Sequence, residues 1–189
     1  MHRSLLIATS LAALAPAATA QGVPWAAAPS TRATVTVNLT PARGVEGVQP
    51  ATIRIDYGQP HLRGRRLHTP DLVPLDSVWR FGANESTTLA TGVDLVLGGH
   101  RLAKGEYSLY VLPQSSGWKL IVSRNTGQWG TEYNATHDVA RLDLKKSTLA
   151  SSVESLSVWL IPSGAQGAPA GELRFAWGDA ALSTDWRVP

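Results

Sequence analysis

Ala33-Thr34-Val35-Thr36-Val37-Asn38-Leu39 alternates apolar and polar residues along its length. Only an extended strand puts every second side chain on one face, so Val35, Val37 and Leu39 share a buried side while the threonines meet water. Thr52-Ile53-Arg54-Ile55-Asp56-Tyr57 repeats the pattern, with Ile53, Ile55 and Tyr57 on one side. Working outward, further strands are expected at 88–97, 106–112, 118–123, 139–144, 153–161, 172–177 and 181–188. Gly98-Gly99, the segment 113–117 and Asn125-Thr126-Gly127 separate them, and 163–171 reads as a hairpin connection. No helical period lies between the strands, although 128–137 has room for a single turn. About nine short strands at this spacing predict an all-β fold. The expected form is one antiparallel β-sandwich or barrel-like domain over 32–189. Trp118, Trp159 and Trp177 fall within alternating strands and are assigned to its core.

The chain has 189 residues and no cysteine, so no disulfide supports the fold and a real hydrophobic core must. Residues 1–20 have the layout of a secretory signal. Arg3 is the positive end, Ser4 to Leu14 the apolar run, and Ala18-Thr19-Ala20 the small-residue cleavage site before Gln21. An Ala/Pro-rich leader over 21–31 follows. The expectation is an exported protein, periplasmic or extracellular after cleavage, with no segment long enough to cross a bilayer as a helix. Without Arg3, 16 of the 17 basic side chains face 14 acidic ones, a net charge of +2. That excess is too small and too dispersed to argue for nucleic acid or an anionic membrane.

Between Gly58 and Thr87 the periodicity disappears. A structureless insert of that length in a compact domain is commonly functional or disordered, and this one carries Trp79, Phe81 and several aliphatics, which argues against disorder. Four constellations surround it. Asp56-Tyr57-Gly58-Gln59-Pro60 puts a carboxylate at a loop mouth, or simply makes a turn. His61 to His68 gathers Arg63, Arg65 and Arg66 into a group able to hold an anion, or into a solvated loop whose arginines pair with Asp71, Asp76 or Glu85. In Val78-Trp79-Arg80-Phe81-Gly82-Ala83-Asn84-Glu85-Ser86-Thr87-Thr88, Arg80 and Asn84 offer donors and Glu85 an acceptor or base. Equally, Arg80 and Glu85 can form a partly buried ion pair that locks the loop. Gln128, Trp129, Glu132 and Tyr133 suggest the aromatic floor and polar rim of a small-molecule site, or the closed end of a sandwich core. The histidine spacing fits no standard zinc signature, no cofactor motif is present, and no nucleophile motif assigns a catalytic residue.

Several of these residues carry a resemblance: Asp56-Tyr57-Gly58-x-Pro60, Gly64-Arg65, Val73-Pro74, Trp79-Arg80-x-Gly82-Ala83-Asn84-Glu85-x-Thr87-Thr88, Gly105-x-Tyr107-Ser108-Leu109 and Gly127-Gln128-Trp129-Gly130-Thr131-x-Tyr133. In this order, from about Thr52 to Leu144, the chain resembles the exported bacterial proteins grouped as domain-of-unknown-function family 2911. The resemblance implies a secreted, mostly β domain and no established activity. Residues Leu67 to Leu72 depart from the family pattern, which is a residue shorter there with a Phe-Gly pair. Leu75-Asp76 likewise stands where Tyr-Gly is usual.

Taken together, the sequence names Asp56, Tyr57, Arg65, Trp79, Arg80, Asn84, Glu85, Thr87, Gln128, Trp129 and Tyr133 as candidate ligand-binding residues. The leading expectation is a module that binds a small polar or anionic ligand where the long loop meets the 128–133 loop. The alternatives are a buried polar network that only fixes the loop, and a hydrolase or isomerase using Glu85 or Asp56 with Arg80.

Overall fold

A computed structural model describes residue 26 and residues 28–189; residues 1–20, expected to be a signal, and most of the 21–31 leader lie outside the described residues. Nine strands form one antiparallel sheet: β1 (Thr31–Leu39), β2 (Ala51–Gln59), β3 (Thr87–Thr91), β4 (Leu95–Leu97), β5 (His100–Leu102), β6 (Gly105–Gln114), β7 (Gly117–Ser123), β8 (Asp138–Pro162) and β9 (Ala170–Arg187). Their order across the sheet is β1-β2-β3-β6-β7-β8-β9-β4-β5, an open sheet folded over on itself rather than a closed barrel. A single 3₁₀ turn, Ala135–His137, occupies the place where one turn was expected.

The antiparallel all-β expectation holds, but the individual strands differ from it. The expected 88–97 strand breaks after Thr91 into β3 and β4, and β5 is an addition. Conversely, 139–144 and 153–161 are one strand, β8, and 172–177 and 181–188 are one strand, β9. The polar run Lys145-Lys146-Ser147 reads as a break, yet Lys145 to Thr148 stay paired with Ser183 to Ala180, and the irregularity is absorbed as register shifts on either side of Val153. β8 therefore belongs to both halves of the sheet. Its first residues pair with β7 (Trp118 opposite Leu144) and the rest with β9.

Folding the sheet along β8 buries Ile53, Ile55, Leu89, Leu109, Leu120 and Leu142 against Leu156, Leu173, Phe175 and Leu182. Each such side chain contributes roughly 1.5–3 kcal/mol by leaving water. Trp118 and Trp177 lie in this core as expected, but Trp159 is 41% exposed. Its neighbours Val158 and Leu160 take the inward positions of β8, and strand alternation then turns Trp159 out.

The long loop, 60–86, is anchored at both ends. At its start the Leu62 N–H donates to Glu154 O (2.8 Å) and the Leu156 N–H to Pro60 O (3.0 Å), closing the end of β2 onto β8. Near its end Trp79 and Val111 exchange backbone hydrogen bonds of 2.8 and 2.9 Å, extending the edge of β6 beyond β3. Leu62, Leu67, Val73, Trp79 and Phe81 are buried, so the loop is a layer of the core.

Candidate functional site

The motif that begins at Trp79 is built on two aromatic anchors. Trp79 stacks on Trp177 with ring centroids 5.6 Å apart, and the fully buried Phe81 lies 4.4 Å from Phe175. At the second anchor and just after it the backbone turns through left-handed conformations, at Phe81 (φ +48°) and Asn84 (φ +64°). For a residue with a side chain this costs on the order of 1 kcal/mol or more, and it persists only where the surroundings enforce it. Here they do. Thr87 Oγ1 donates to Phe81 O (2.6 Å), the Ala83 N–H to Gly58 O (3.2 Å), the Ser86 N–H to Gln128 O (3.1 Å) and the Gly130 N–H to Asn84 O (2.9 Å).

Two glycines permit this interlock. A Cβ on Gly58 would lie 1.9 Å from Ala83 O, and one on Gly130 would lie 2.8 Å from both Arg80 Cδ and Asn84 O. The end of β2, the motif and the 128–130 segment thus meet through backbone at distances no side chain allows.

The interlock shapes a cavity of about 400 Å³. The long loop gives it Arg65, Asp71, Trp79, Arg80 and Asn84; β6 gives Tyr110, β9 gives Trp177, the segment after Gly130 gives Thr131 and Tyr133, and Ser30 stands just before β1. Arg80 is the one arginine among the described residues that is not exposed. Its stem lies against Gly130, and among the described residues its guanidinium has no hydrogen-bond or ion-pair partner. Nor are its nitrogens sealed: the buried, unpartnered side-chain polar atoms are Gln128 Oε1, Asp138 Oδ1 and Trp186 Nε1. Arg80 thus lines the cavity with nitrogens that are neither sealed nor paired.

The other polar groups of the wall are engaged to different degrees. Arg65 spends Nε and one terminal nitrogen on Leu62 O (2.9 Å) and His61 O (2.8 Å). Asn84 makes one long contact to Ser30 O (3.4 Å). The Tyr133 hydroxyl donates to Asp138 (2.7 Å) and accepts from Arg141 (2.8 Å). Burial first, and then the Asp138 carboxylate, push the Tyr133 phenol up to about 12. Burial also raises the Tyr110 phenol, against the hydrogen bond that its oxygen receives from Gln128 Nε2 (2.7 Å).

Of the residues named from sequence, Arg65, Trp79, Arg80, Asn84 and Tyr133 line this cavity; Asp56, Tyr57, Glu85, Thr87, Gln128 and Trp129 do not. Asp56 is not at a turn, because β2 runs on to Gln59 and Asp56 sits on its outer face. Burial alone would push its carboxyl up. Hydrogen bonds from Arg32 (Nε, 2.9 Å) and Thr34 (2.8 Å), with the charges of Arg32 and Arg54, hold it below its ordinary value instead. It borders a separate hollow of about 220 Å³ beside Glu106 and Thr126. The Tyr57 hydroxyl accepts the Val158 N–H (3.2 Å) inside the core, and Thr87 is the buried clamp on Phe81.

The expected Arg80–Glu85 ion pair does not form. Glu85 is exposed and pairs with Arg32 (3.6 Å), because the turn between Phe81 and Asn84 sends Arg80 and Glu85 to different sides. A buried polar network does exist, but its members are Ser86, Ser108, Gln128 and Tyr110. Trp129 is 46% exposed and does not line the cavity, although Gly130 and Thr131 do. The basic loop does not pair with Asp71, Asp76 or Glu85; Arg63 and Arg65 are held by backbone carbonyls.

Sequence reading missed Ser30, Asp71, Tyr110, Thr131 and Trp177 as wall residues. Tyr110 and Trp177 lie in strands that read as core; Asp71 enters the sequence reading only as a partner for the loop arginines, and Thr131 only as part of the family motif. A larger hollow of about 610 Å³, lined from both ends of β9, contains no residue of the motif, and its Glu172 and Asp185 are already paired with Arg174 (2.6 Å) and Lys145 (2.8 Å). Among the described residues no group of three or more His, Asp or Glu is placed to hold a metal.

A family model described as "Protein of unknown function (DUF2911)" matches residues 40–185, which contain the interlock and every wall residue of the cavity except Ser30. No curated protein matches the chain, and no solved structure does.

Proposed function

The chain belongs to the DUF2911 family, whose description carries no activity, and we propose from the cavity itself that the protein binds a small polar or anionic ligand there. The observation that supports this reading is Arg80, a half-buried arginine on the cavity wall with no partner among the described residues. An arginine without a protein partner keeps its planar fork of donors for a ligand, and that fork is suited to a carboxylate or phosphate. Each charge-assisted hydrogen bond would add about 1.5–3 kcal/mol. Asn84, Thr131 and Tyr110 offer the neutral polar contacts that fix orientation, and the indole edges of Trp79 and Trp177 provide an apolar floor.

The export layout of residues 1–20 belongs to the same reading, which puts the ligand outside the cytoplasm. A purely structural role for the motif is favoured by one observation, the Ser86–Ser108–Gln128–Tyr110 network that fixes the loop. The two readings divide the motif between them: Phe81, Thr87 and the glycines build the wall, and Arg80 faces what enters. Neither Asp56 nor Glu85 borders Arg80, so the reading assigns no catalytic base.

The test is a thermal-shift screen of the purified protein against carboxylates, inorganic phosphate and sugars, repeated on Arg80→Met and Asn84→Ala. Stabilisation that is lost in Arg80→Met supports the proposal. Ligands that stabilise the variants as well as the wild type would place binding elsewhere.

A further inference from the structure

Three charged side chains line the cavity: Arg65, Asp71 and Arg80. Arg65 is already turned onto two backbone carbonyls. Arg80 and Asp71 remain, of opposite sign, on the wall of one cavity, and no ion pair joins them or ties either to another described residue. Other opposite charges that meet on this fold do pair, as Arg32 does with Asp56 and Arg141 with Asp138 at 2.7 Å. Two opposite charges on the wall of one cavity, not paired with each other, can both be answered by a ligand that carries both.

We propose that the ligand is a free α-amino acid held as a zwitterion, its carboxylate on Arg80 and its ammonium toward Asp71. The inference rests on the binding reading above and goes further by naming the ligand class. A simple anion would answer Arg80 but would then face the Asp71 carboxylate, and like charges across a small cavity oppose binding. A phosphate dianion would suffer most. An ammonium beside the carboxylate turns that repulsion into attraction, which is selection by both an attractive and a repulsive element. The cavity volume of about 400 Å³ admits a free amino acid with its side chain over Pro74 and the indole edges of Trp79 and Trp177. Asp71 is exposed at the rim, so replacing it leaves the packing of the fold unchanged.

The experiment is calorimetric titration of the full chain, as exported, with the proteinogenic L-amino acids. Each is matched with the 2-hydroxy acid and the acid lacking the amino group, with acetate and inorganic phosphate alongside. At least one amino acid should bind about fivefold tighter than both of its matched acids, the upper end of what one contact to an exposed carboxylate supplies. Asp71→Asn should reduce that preference to about twofold or less, by weakening the amino acid and tightening its matched acids, and Arg80→Met should abolish binding of all of them. Matched acids or phosphate that bind as well as amino acids, through Arg80 and indifferent to Asp71→Asn, would overturn the zwitterion and leave the anion site standing. No binding by any of these probes would overturn both.

Discussion

Replacing Gly58 by alanine is the most demanding perturbation of the interlock. Gly58 lies in β2 and has no left-handed conformation to lose, so the cost is steric alone. The new Cβ would sit 1.9 Å from Ala83 O and 2.7 Å from Ala83 C, both backbone atoms, where ordinary contact begins near 3.4 Å. The two segments must part by about 1.5 Å, and overpacking of this kind costs about 1–3 kcal/mol. The movement also breaks the Ala83 N–H to Gly58 O bond of 3.2 Å, worth about 1 kcal/mol more. The expected loss of about 2–4 kcal/mol lowers Tm by about 5–15 °C for a domain of this size, measured by circular dichroism or calorimetry. Gly99→Ala is the control: its φ of +84° imposes left-handed strain, but no atom lies within 4 Å of the new Cβ. That change should cost only about 1 kcal/mol. Gly58→Ala melting no lower than Gly99→Ala would refute the argument that the motif is clamped against β2 through bare backbone.

Thr87→Val removes the 2.6 Å donor from Phe81 O and leaves that carbonyl buried without its partner, so a loss of about 1–3 kcal/mol is expected in denaturant unfolding. Arg80→Met and Glu85→Ala should each change stability by no more than about 0.5 kcal/mol, since Arg80 loses no partner and Glu85 only an exposed one. A drop of several kcal/mol in either would restore the buried ion pair. Tyr133 holds its proton more tightly folded, up to about 12, than unfolded, near 10.0. Its contribution is complete below about pH 10 and is lost as pH rises from there toward 12. Tyr133→Phe should therefore flatten the alkaline fall of Tm in that window, and an unchanged slope would contradict the environment described for its hydroxyl.

Fold class was legible because alternation in β1 and β2 is a local signal: Val37, Ile53 and Ile55 are buried as the pattern demands. Strand length was not legible, because the pairing that carries β8 through Lys145-Lys146-Ser147 is made by β9, a partner distant in sequence. Trp159 illustrates the same limit, since Val158, Trp159, Leu160 and Ile161 are all apolar and only the packed sheet decides which pair faces inward. The site was legible as a place and not as a membership. Arg80 and Asn84 stood out through the density of polar groups around a glycine. That Glu85 would turn to Arg32 depends on left-handed backbone at Phe81 and Asn84, for which a phenylalanine gives no warning. Gly58 was read as a turn residue, whereas what its position requires is contact with Ala83, which nothing nearby in the chain reveals.

The central claim is that Arg80 meets the ligand, and side-chain nitrogen NMR of arginine-labelled protein tests it most directly. The Arg80 Nε resonance, assigned by its absence in Arg80→Met, should shift and saturate during titration with the best ligand of the thermal screen, while the resonances of Arg32 and Arg141, already paired, stay in place. A ligand that binds with the Arg80 signal unmoved would contradict the account.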